Sequence, residues 1–169
     1  IQEEPDFPFR SMNLRGSGGD YTALNEIREE WNLKNRMQNP QQLRLFHNLY
    51  ALVPPAKYGE SNPEFYPNGN PPSSSSGWQP CFSEEGTIDA AVTEILAFFE
   101  RNPEATSISL AVNDRGGYCE ANSSHPEYPN KTNSIGLVDM SDIYYDWVNQ
   151  VVERVLEVHP DKWFGLYAY

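Results

Sequence analysis

The predicted fold depends on residues 105–120, which read ATSISLAVNDRGGYCE. In residues 108–112 apolar side chains alternate with small ones, as in a strand packed on both faces, and the run stops at Asn113 and Asp114. Because ligands of α/β proteins bind at the carboxyl ends of the strands, we expect a site at this acid. The alternative is a surface turn that happens to contain an aspartate.

Two glycines follow this acid. Gly116 and Gly117 allow the backbone to turn sharply or to approach a ligand closely. Tyr118 and Glu120 then come within reach of the same rim, so the whole stretch is predicted to serve one site.

The composition restricts the class of partner. The 169 residues are 38% hydrophobic and 13% aromatic, which is enough for a domain with a packed core. A formal net charge of −12 argues against nucleic acid and anionic membranes and favours a neutral or cationic ligand. The many tyrosines and tryptophans suit sugar binding, although aromatic residues are more often core. No run of about 18 apolar residues occurs, so no membrane span is predicted.

The two cysteines, Cys81 and Cys119, are too few and too far apart for a zinc site. They could form a disulfide or remain free thiols. The chain begins at Ile1 rather than Met, which a removed signal peptide, an upstream domain or an arbitrary boundary would each explain. The expected location is secreted or periplasmic.

Hydrophobic spacing predicts three helices, each bounded by a capping residue or a proline. We expect them after a cap at Asp20 or Thr22 and up to Asn39, over residues 87–101, and from a cap at Ser141 to His159.

Apolar runs between these helices predict five strands, and the irregular residues 57–77 and 121–139 are predicted to be long loops. The predicted strands cover residues 7–12, 43–53, 78–83, 105–112 and 163–169.

Strands that alternate with helices indicate parallel βα units with right-handed crossovers. They could form an open doubly wound sheet or part of a (β/α)8 barrel, whose full length is about 250 residues. Because the chain ends on a strand, we expect a single α/β domain that forms a partial TIM barrel, covering roughly strands one to five.

Several short motifs support this interpretation through their order along the chain. They are Phe9-Arg10, Phe46-His47, Asn62-Pro63-Glu64-Phe65-Tyr66, Gln79-Pro80-Cys81, Asn113-Asp114 with Tyr118-Cys119-Glu120, and Leu166-Tyr167-Ala168-Tyr169. Together they resemble the DUF4838 family, which is similar to TIM-barrel glycoside hydrolases and includes the endo-β-N-acetylglucosaminidases of glycoside hydrolase family 163. The resemblance implies a hydrolase whose remaining barrel strands lie outside this chain, so the chain alone is expected to be inactive.

Glycoside hydrolysis needs a carboxylic acid that protonates the leaving oxygen and a second group that stabilises the sugar cation. For a 2-acetamido sugar the substrate's own carbonyl can act as the nucleophile, and the resemblance implies this variant. The predicted catalytic residues are Asp114 and Glu120, although Glu120 could instead be a solvated loop acid. No metal and no cofactor are expected.

Polar and aromatic residues near the predicted strand ends complete the site. The predicted substrate-binding residues are Arg10, His47, Asn113, Tyr118 and Tyr169. His47 could instead be a hydrogen-bonded core residue, and the tyrosines could be buried anchors. The predicted function is hydrolysis of N-acetylhexosamine-containing glycans, with self-association or the rest of the barrel completing the fold. The alternatives are a non-catalytic carbohydrate-binding domain and a structural α/β domain.

Overall fold

The computed structural model describes residues 21–35, residue 37 and residues 43–167, with only the backbone for residues 21–25. The chain divides into two compact units, Ile1–Gln42 and Leu43–Tyr169. The predicted strand over residues 7–12, which contains Arg10, and the terminal Tyr169 lie outside the described residues.

Helix α1 (Tyr21–Lys34) is the described element of the first unit. The predicted first helix is confirmed, but it ends at Lys34, before the expected stop at Asn39. Its last turn carries an ion pair between Glu30 and Lys34, whose N and O atoms are 2.7 Å apart. This i,i+4 pair places a basic residue at the end of the helix, where it complements the helix dipole.

The second unit contains four helices and strands of the predicted type and two short helices that were not predicted. The predicted ones are α4 (Glu85–Arg101), β1 (Ser107–Ser109), α5 (Ser141–Leu156) and β2 (Trp163–Gly165), and the unpredicted ones are α2 (Leu49–Leu52) and α3 (Pro55–Tyr58). Short 3₁₀ turns lie at Pro63–Phe65 and Pro67–Gly69.

The core forms where α4 packs against α5. Buried apolar side chains face each other across this contact, as the spacing in the sequence predicts. Trp147 on α5 is buried, and its indole N–H donates to the Thr87 hydroxyl on α4 at 2.9 Å. The two long helices predicted from the sequence are therefore confirmed, and a buried polar contact fixes their relative position.

Strands β1 and β2 form a parallel pair, in the register Ser107 with Trp163, Ile108 with Phe164 and Ser109 with Gly165. Helix α5 connects them, so β1, α5 and β2 make one βαβ unit. The carboxyl ends of both strands lie at the same edge of the pair.

The predicted partial TIM barrel is wrong for the described part of the chain. Regular strand structure there is limited to β1 and β2, each three residues long. Residues 43–48 form no regular secondary structure, the predicted strand is replaced from Leu49 by α2, and residues 78–83 form no strand. The described residues are mainly helix and loop, without the regular alternation that a barrel requires.

Side chains explain why residues 43–48 do not join the sheet. They run beside β1, and the hydrogen bonds between them involve side chains: the hydroxyls of the β1 serines, and the Asn48 amide, whose Nδ2 donates to the Ser109 carbonyl at 2.9 Å. Arg44 N–H donates to Ser107 Oγ at 2.8 Å, and Ser109 Oγ donates to the Phe46 carbonyl at 2.6 Å. Satisfying backbone groups through side chains removes the need for a regular ladder. The spacing of apolar residues in the sequence does not reveal that side chains replace backbone groups as hydrogen-bond partners here.

Candidate functional site

The segment after β1 ends in a buried asparagine. Asn113 is fully buried, and its side chain binds two neighbouring segments. Its Oδ1 accepts from Tyr50 N–H at 2.7 Å, and its Nδ2 donates to the Trp78 carbonyl at 3.1 Å. Asn113 therefore fixes the end of this segment against α2 and residue 78. Its predicted contact with substrate stays a prediction, since these bonds use its amide within the protein.

Gln79 holds the turn that follows. Its Nε2 donates to the carbonyls of Asn113 and Arg115, both at 2.9 Å. Arg115 has a φ of 72°, which side chains other than glycine rarely adopt. Gly117 has a φ of 89°, and a side chain there would collide with the backbone of Gly77. The turn is thus kept in an uncommon conformation by one buried amide and one glycine.

Asp114 projects from this turn towards His47. The Asp114 side chain is 55% exposed, and its Oδ1 lies 3.8 Å from His47 Nε2. His47 Nδ1 lies 2.6 Å from the Val112 carbonyl oxygen. Since a carbonyl only accepts, Nδ1 carries the hydrogen, and Nε2 of a neutral His47 presents its lone pair to Asp114. At 3.8 Å the two atoms lie beyond hydrogen-bond distance, and they form an ion pair only when His47 is protonated.

Tyr167 connects this pair to a cavity. Its ring meets the His47 ring edge-on, with the centroids 5.0 Å apart, and its hydroxyl donates to the Leu45 carbonyl at 3.0 Å. The same tyrosine lines a cavity of about 580 Å³. This volume lies within the range of about 300–1,000 Å³ that is usual for small-molecule sites.

The cavity lies between the end of the β1 segment, the loop before α5, and the start of α5. Its lining is mostly apolar and aromatic. The lining residues are Val112, Arg115, Gly116, Tyr118, Asn133, Ile135, Leu137, Val138, Met140, Ser141, Tyr144, Tyr145 and Tyr167.

The tyrosines of this lining have different roles. Tyr144 is buried, its hydroxyl donates to the Leu110 carbonyl at 2.9 Å, and burial raises the pKa of this hydroxyl above its usual value. Tyr144 is thus a fixed part of the wall. Tyr118 is half-buried and Tyr145 is 37% exposed, so both retain surface for a ligand. Flat aromatic faces of this kind can cover the apolar face of a sugar ring.

The loop before α5 is shaped by the side chain of Asn133. Asn133 Oδ1 accepts from the backbone N–H groups of Ile135 and Leu137, at 3.1 and 3.0 Å. Both apolar side chains remain exposed, by 76% and 61%, at the mouth of the cavity. The loop therefore presents apolar surface beside the tyrosines.

Asp139 attaches this loop to α5. Its Oδ1 accepts from Ser141 N–H at 3.0 Å, and its Oδ2 lies 3.2 Å from Lys131 Nζ. The hydrogen bonds from Ser141, together with the Lys131 ammonium group, lower the pKa of the Asp139 carboxyl group. The sequence predicts the cap at Ser141, but Met140 occupies the N-cap position without a side-chain capping bond, and Asp139 accepts from the first N–H of the helix.

Glu120 lies elsewhere in the same segment. It is fully buried, and its Oε1 accepts from the backbone N–H and the hydroxyl of Ser83, at 2.7 and 2.9 Å. Its Oε2 has no hydrogen-bond partner among the described residues. Cys119, the preceding residue, forms a disulfide with Cys81. Glu120 is absent from the cavity lining, and its catalytic role stays a prediction.

The structure thus brings together two residues that the sequence singled out, Asp114 and His47, and it places a third, Tyr118, in the lining of the neighbouring cavity. Sequence reasoning missed Arg115 and Tyr145, which also line the cavity. Arg115 stands between the predicted acid and the two glycines, and its polar position in that turn was the available signal. Tyr145 follows a residue of the buried α5 stripe and lies off that stripe, which marks it as a surface aromatic.

Two further observations concern metal ions and membranes. Within residues 21–35, 37 and 43–167, no group of three His, Cys, Asp or Glu side chains is arranged to hold a metal ion. None of the described helices combines the length and the apolar character that crossing a bilayer requires.

Fold and site together define a mainly helical domain with one βαβ unit and a tyrosine-lined cavity at the carboxyl end of its strands. A family model described as a domain of unknown function, DUF4838, matches residues 1–169, and the chain belongs to this family. No curated protein and no solved structure matches the chain.

Proposed function

We propose that this domain binds N-acetylhexosamine-containing glycans in the cavity and that Asp114 supplies carboxyl chemistry for their hydrolysis. One observation carries the proposal: an exposed carboxyl group faces His47 directly beside a tyrosine-lined cavity. The reaction itself is the one that the resemblance to glycoside hydrolases implies.

Sugar binding is supported by the surface that the cavity offers. Tyr118 and Tyr145 provide aromatic faces, and Ile135 and Leu137 provide apolar contacts near the mouth. A pyranose ring has an apolar face and a rim of hydroxyl groups, and the acetamido group adds a methyl group. A mostly apolar wall with a few polar side chains matches this combination.

Proton transfer is supported by the Asp114–His47 pair. Because His47 Nδ1 donates to Val112, Nε2 is the nitrogen that faces Asp114 and can exchange a proton with its carboxyl group during the reaction. In the proposed reaction this proton passes to the glycosidic oxygen as its bond to the anomeric carbon breaks. The acetamido oxygen of the substrate forms the new bond to that carbon, and water later opens the resulting ring.

A second candidate function is glycan binding without hydrolysis. It is favoured by the position of Glu120, the second predicted acid, which is buried against Ser83 and outside the lining. Among the residues that line the cavity none is acidic, so Asp114 would act with no partner carboxylate from the described wall.

Asp114→Asn separates these two functions. Hydrolysis of chitotetraose and its binding by calorimetry would be measured in the full-length protein that contains this domain, for the wild type and the variant, with Asp142→Asn on α5 as the matched control. We expect turnover to fall by a factor of about 100 or more, with nearly unchanged affinity, in the Asp114 variant alone. Full turnover in Asp114→Asn would remove Asp114 from the mechanism. Binding of chitotetraose without turnover by the wild type would favour the non-catalytic function.

A secreted or periplasmic location is part of the proposal. The disulfide between Cys81 and Cys119 supports it, because disulfides persist mainly in oxidising compartments.

A further inference from the structure

The charge of the cavity differs from the charge of the chain. The protein has a formal net charge of −12, yet the charged side chain among the lining residues is a cation, Arg115. At physiological ionic strength charges are screened over about 8 Å. Three acids next to lining residues in sequence are already engaged: Asp139 and Asp142 pair with Lys131, and Asp114 faces His47. A ligand inside the cavity therefore meets Arg115 as the charged side chain of the lining.

Arg115 is held in place by its backbone. Its positive φ is stabilised by the bond from Gln79 Nε2 to its carbonyl. Unusual backbone conformations of this kind concentrate at functional sites, where the surrounding structure maintains them. No ion pair joins the Arg115 guanidinium to any carboxylate of the described residues, so the group remains available to a ligand.

The nearest acid in sequence does not compete for this cation. Asp114 is directed towards His47, with its Oδ1 3.8 Å from Nε2, and it is absent from the cavity lining. Asp114 and Arg115 are adjacent in the turn but belong to different parts of the site. Asp114 lies with His47, and Arg115 lies with the tyrosines.

We infer that the cavity selects glycans in which a carboxylate-bearing sugar, such as a hexuronate, adjoins the N-acetylhexosamine. Arg115 binds the carboxylate, and the tyrosines cover the neighbouring ring. A planar guanidinium matches a carboxylate through two parallel hydrogen bonds, which a neutral sugar cannot reproduce. The inference rests on the proposed function, because it specifies the substrate of the same site. It replaces the expectation of a neutral or cationic ligand, which considered only the net charge.

The test compares two glycans that differ only in charge. Hyaluronan tetrasaccharide alternates glucuronate with N-acetylglucosamine, and reduction of its carboxyl groups gives a neutral tetrasaccharide of the same linkage. Their affinities would be measured by calorimetry for the wild type, Arg115→Gln, Arg115→Lys and the control Arg154→Gln. Arg154 is an exposed α5 residue that pairs with Asp89.

We expect the wild type and the control to bind the acidic tetrasaccharide at least about tenfold more tightly than the neutral one. In Arg115→Gln this preference disappears while the affinity for the neutral form is kept, and Arg115→Lys recovers part of it. Equal binding of both forms by the wild type, or an equal loss of both in Arg115→Gln, would overturn the inference and leave the proposed function standing. Failure of the wild type to bind either form or chitotetraose would overturn both.

Discussion

Gln79 pairs with Asn113 as a neighbouring strand would. Its Oε1 accepts from Asn113 N–H, and its Nε2 donates to the Asn113 carbonyl, both at 2.9 Å. One side chain thus satisfies both backbone groups of a fully buried residue. The same Nε2 also binds the carbonyl of Arg115, so the position of the candidate site depends on this amide.

Replacing Gln79 with alanine should therefore destabilise the domain. The change leaves buried backbone groups of Asn113 without partners, and each such group costs about 1–3 kcal/mol. We expect the free energy of unfolding in urea to fall by about 3 kcal/mol. Gln150→Ala is the matched control, because Gln150 is exposed and binds Asp146 on the surface of α5. A loss no larger than that of the control would show that the Gln79 amide is dispensable.

The contact between Gln79 and Asn113 is an example of structure that the sequence does not predict, whereas the long helices are predictable. Helices α4 and α5 were predicted because their apolar residues recur at helical spacing, and burial of that stripe is what forms them. The predicted strands over residues 43–53 and 78–83 relied on apolar runs alone. Whether such a run pairs in a sheet depends on which groups face it, and here Ser109 and Gln79 take the place of strand partners. Side-chain partners distant in sequence leave no periodic signal.

The candidate site also has one part that local sequence patterns predict and one part that depends on contacts between distant residues. The positions of Asp114 and His47, at or just after the end of an apolar run, predict that both belong to a site, and the structure places Asp114 Oδ1 3.8 Å from His47 Nε2. Burial of Glu120 could not be predicted, since it depends on the contact with Ser83, 37 residues away in the chain. The part of the site that comes from strand ends was predictable, and the part that comes from loop packing was not.

The disulfide should contribute strongly to stability. It joins Cys81 to Cys119, which are separated by 38 residues, and it thereby restricts the unfolded chain. For a loop of this length the chain-entropy relation gives about 4 kcal/mol. We expect the double variant Cys81→Ser with Cys119→Ser to unfold at a correspondingly lower urea concentration. Dithiothreitol should lower the wild-type midpoint similarly and leave the double variant unchanged; an unchanged wild-type midpoint would contradict the prediction.

Asp139 should make stability depend on pH in the acidic range. Its pKa is lowered in the folded protein by hydrogen bonds from Ser141 and by Lys131, so folding favours the ionised carboxylate. Its contribution is present above the usual pKa of 3.8 and is lost as the pH falls through the lowered folded value. The difference in melting temperature between the wild type and Asp139→Asn should be clear at pH 6 and shrink as the solution becomes more acidic. Glu60→Gln, at an exposed position, is the control. A difference that stays constant down to pH 2 would contradict the prediction.

Glu120 offers the sharpest separation of structural and catalytic roles. Its Oε1 accepts two hydrogen bonds from Ser83, and its side chain is fully buried. Glu120→Ala removes the acceptor and leaves a cavity, so the free energy of unfolding should fall by about 3 kcal/mol. Glu120→Gln keeps an oxygen for Ser83 and nearly the same volume, and we expect it to fold with close to wild-type stability and to bind chitotetraose with unchanged affinity.

The glutamine variant also tests the catalytic prediction for Glu120, because it removes the acid while keeping the shape. With Glu120 buried outside the cavity lining, we expect the same turnover of chitotetraose as in the wild type. A fall of about 100-fold in turnover with stability and binding intact would instead show that Glu120 reaches the substrate. That result would require the fully buried Glu120 to become accessible when a glycan binds, since in this structure its side chain has no contact with solvent.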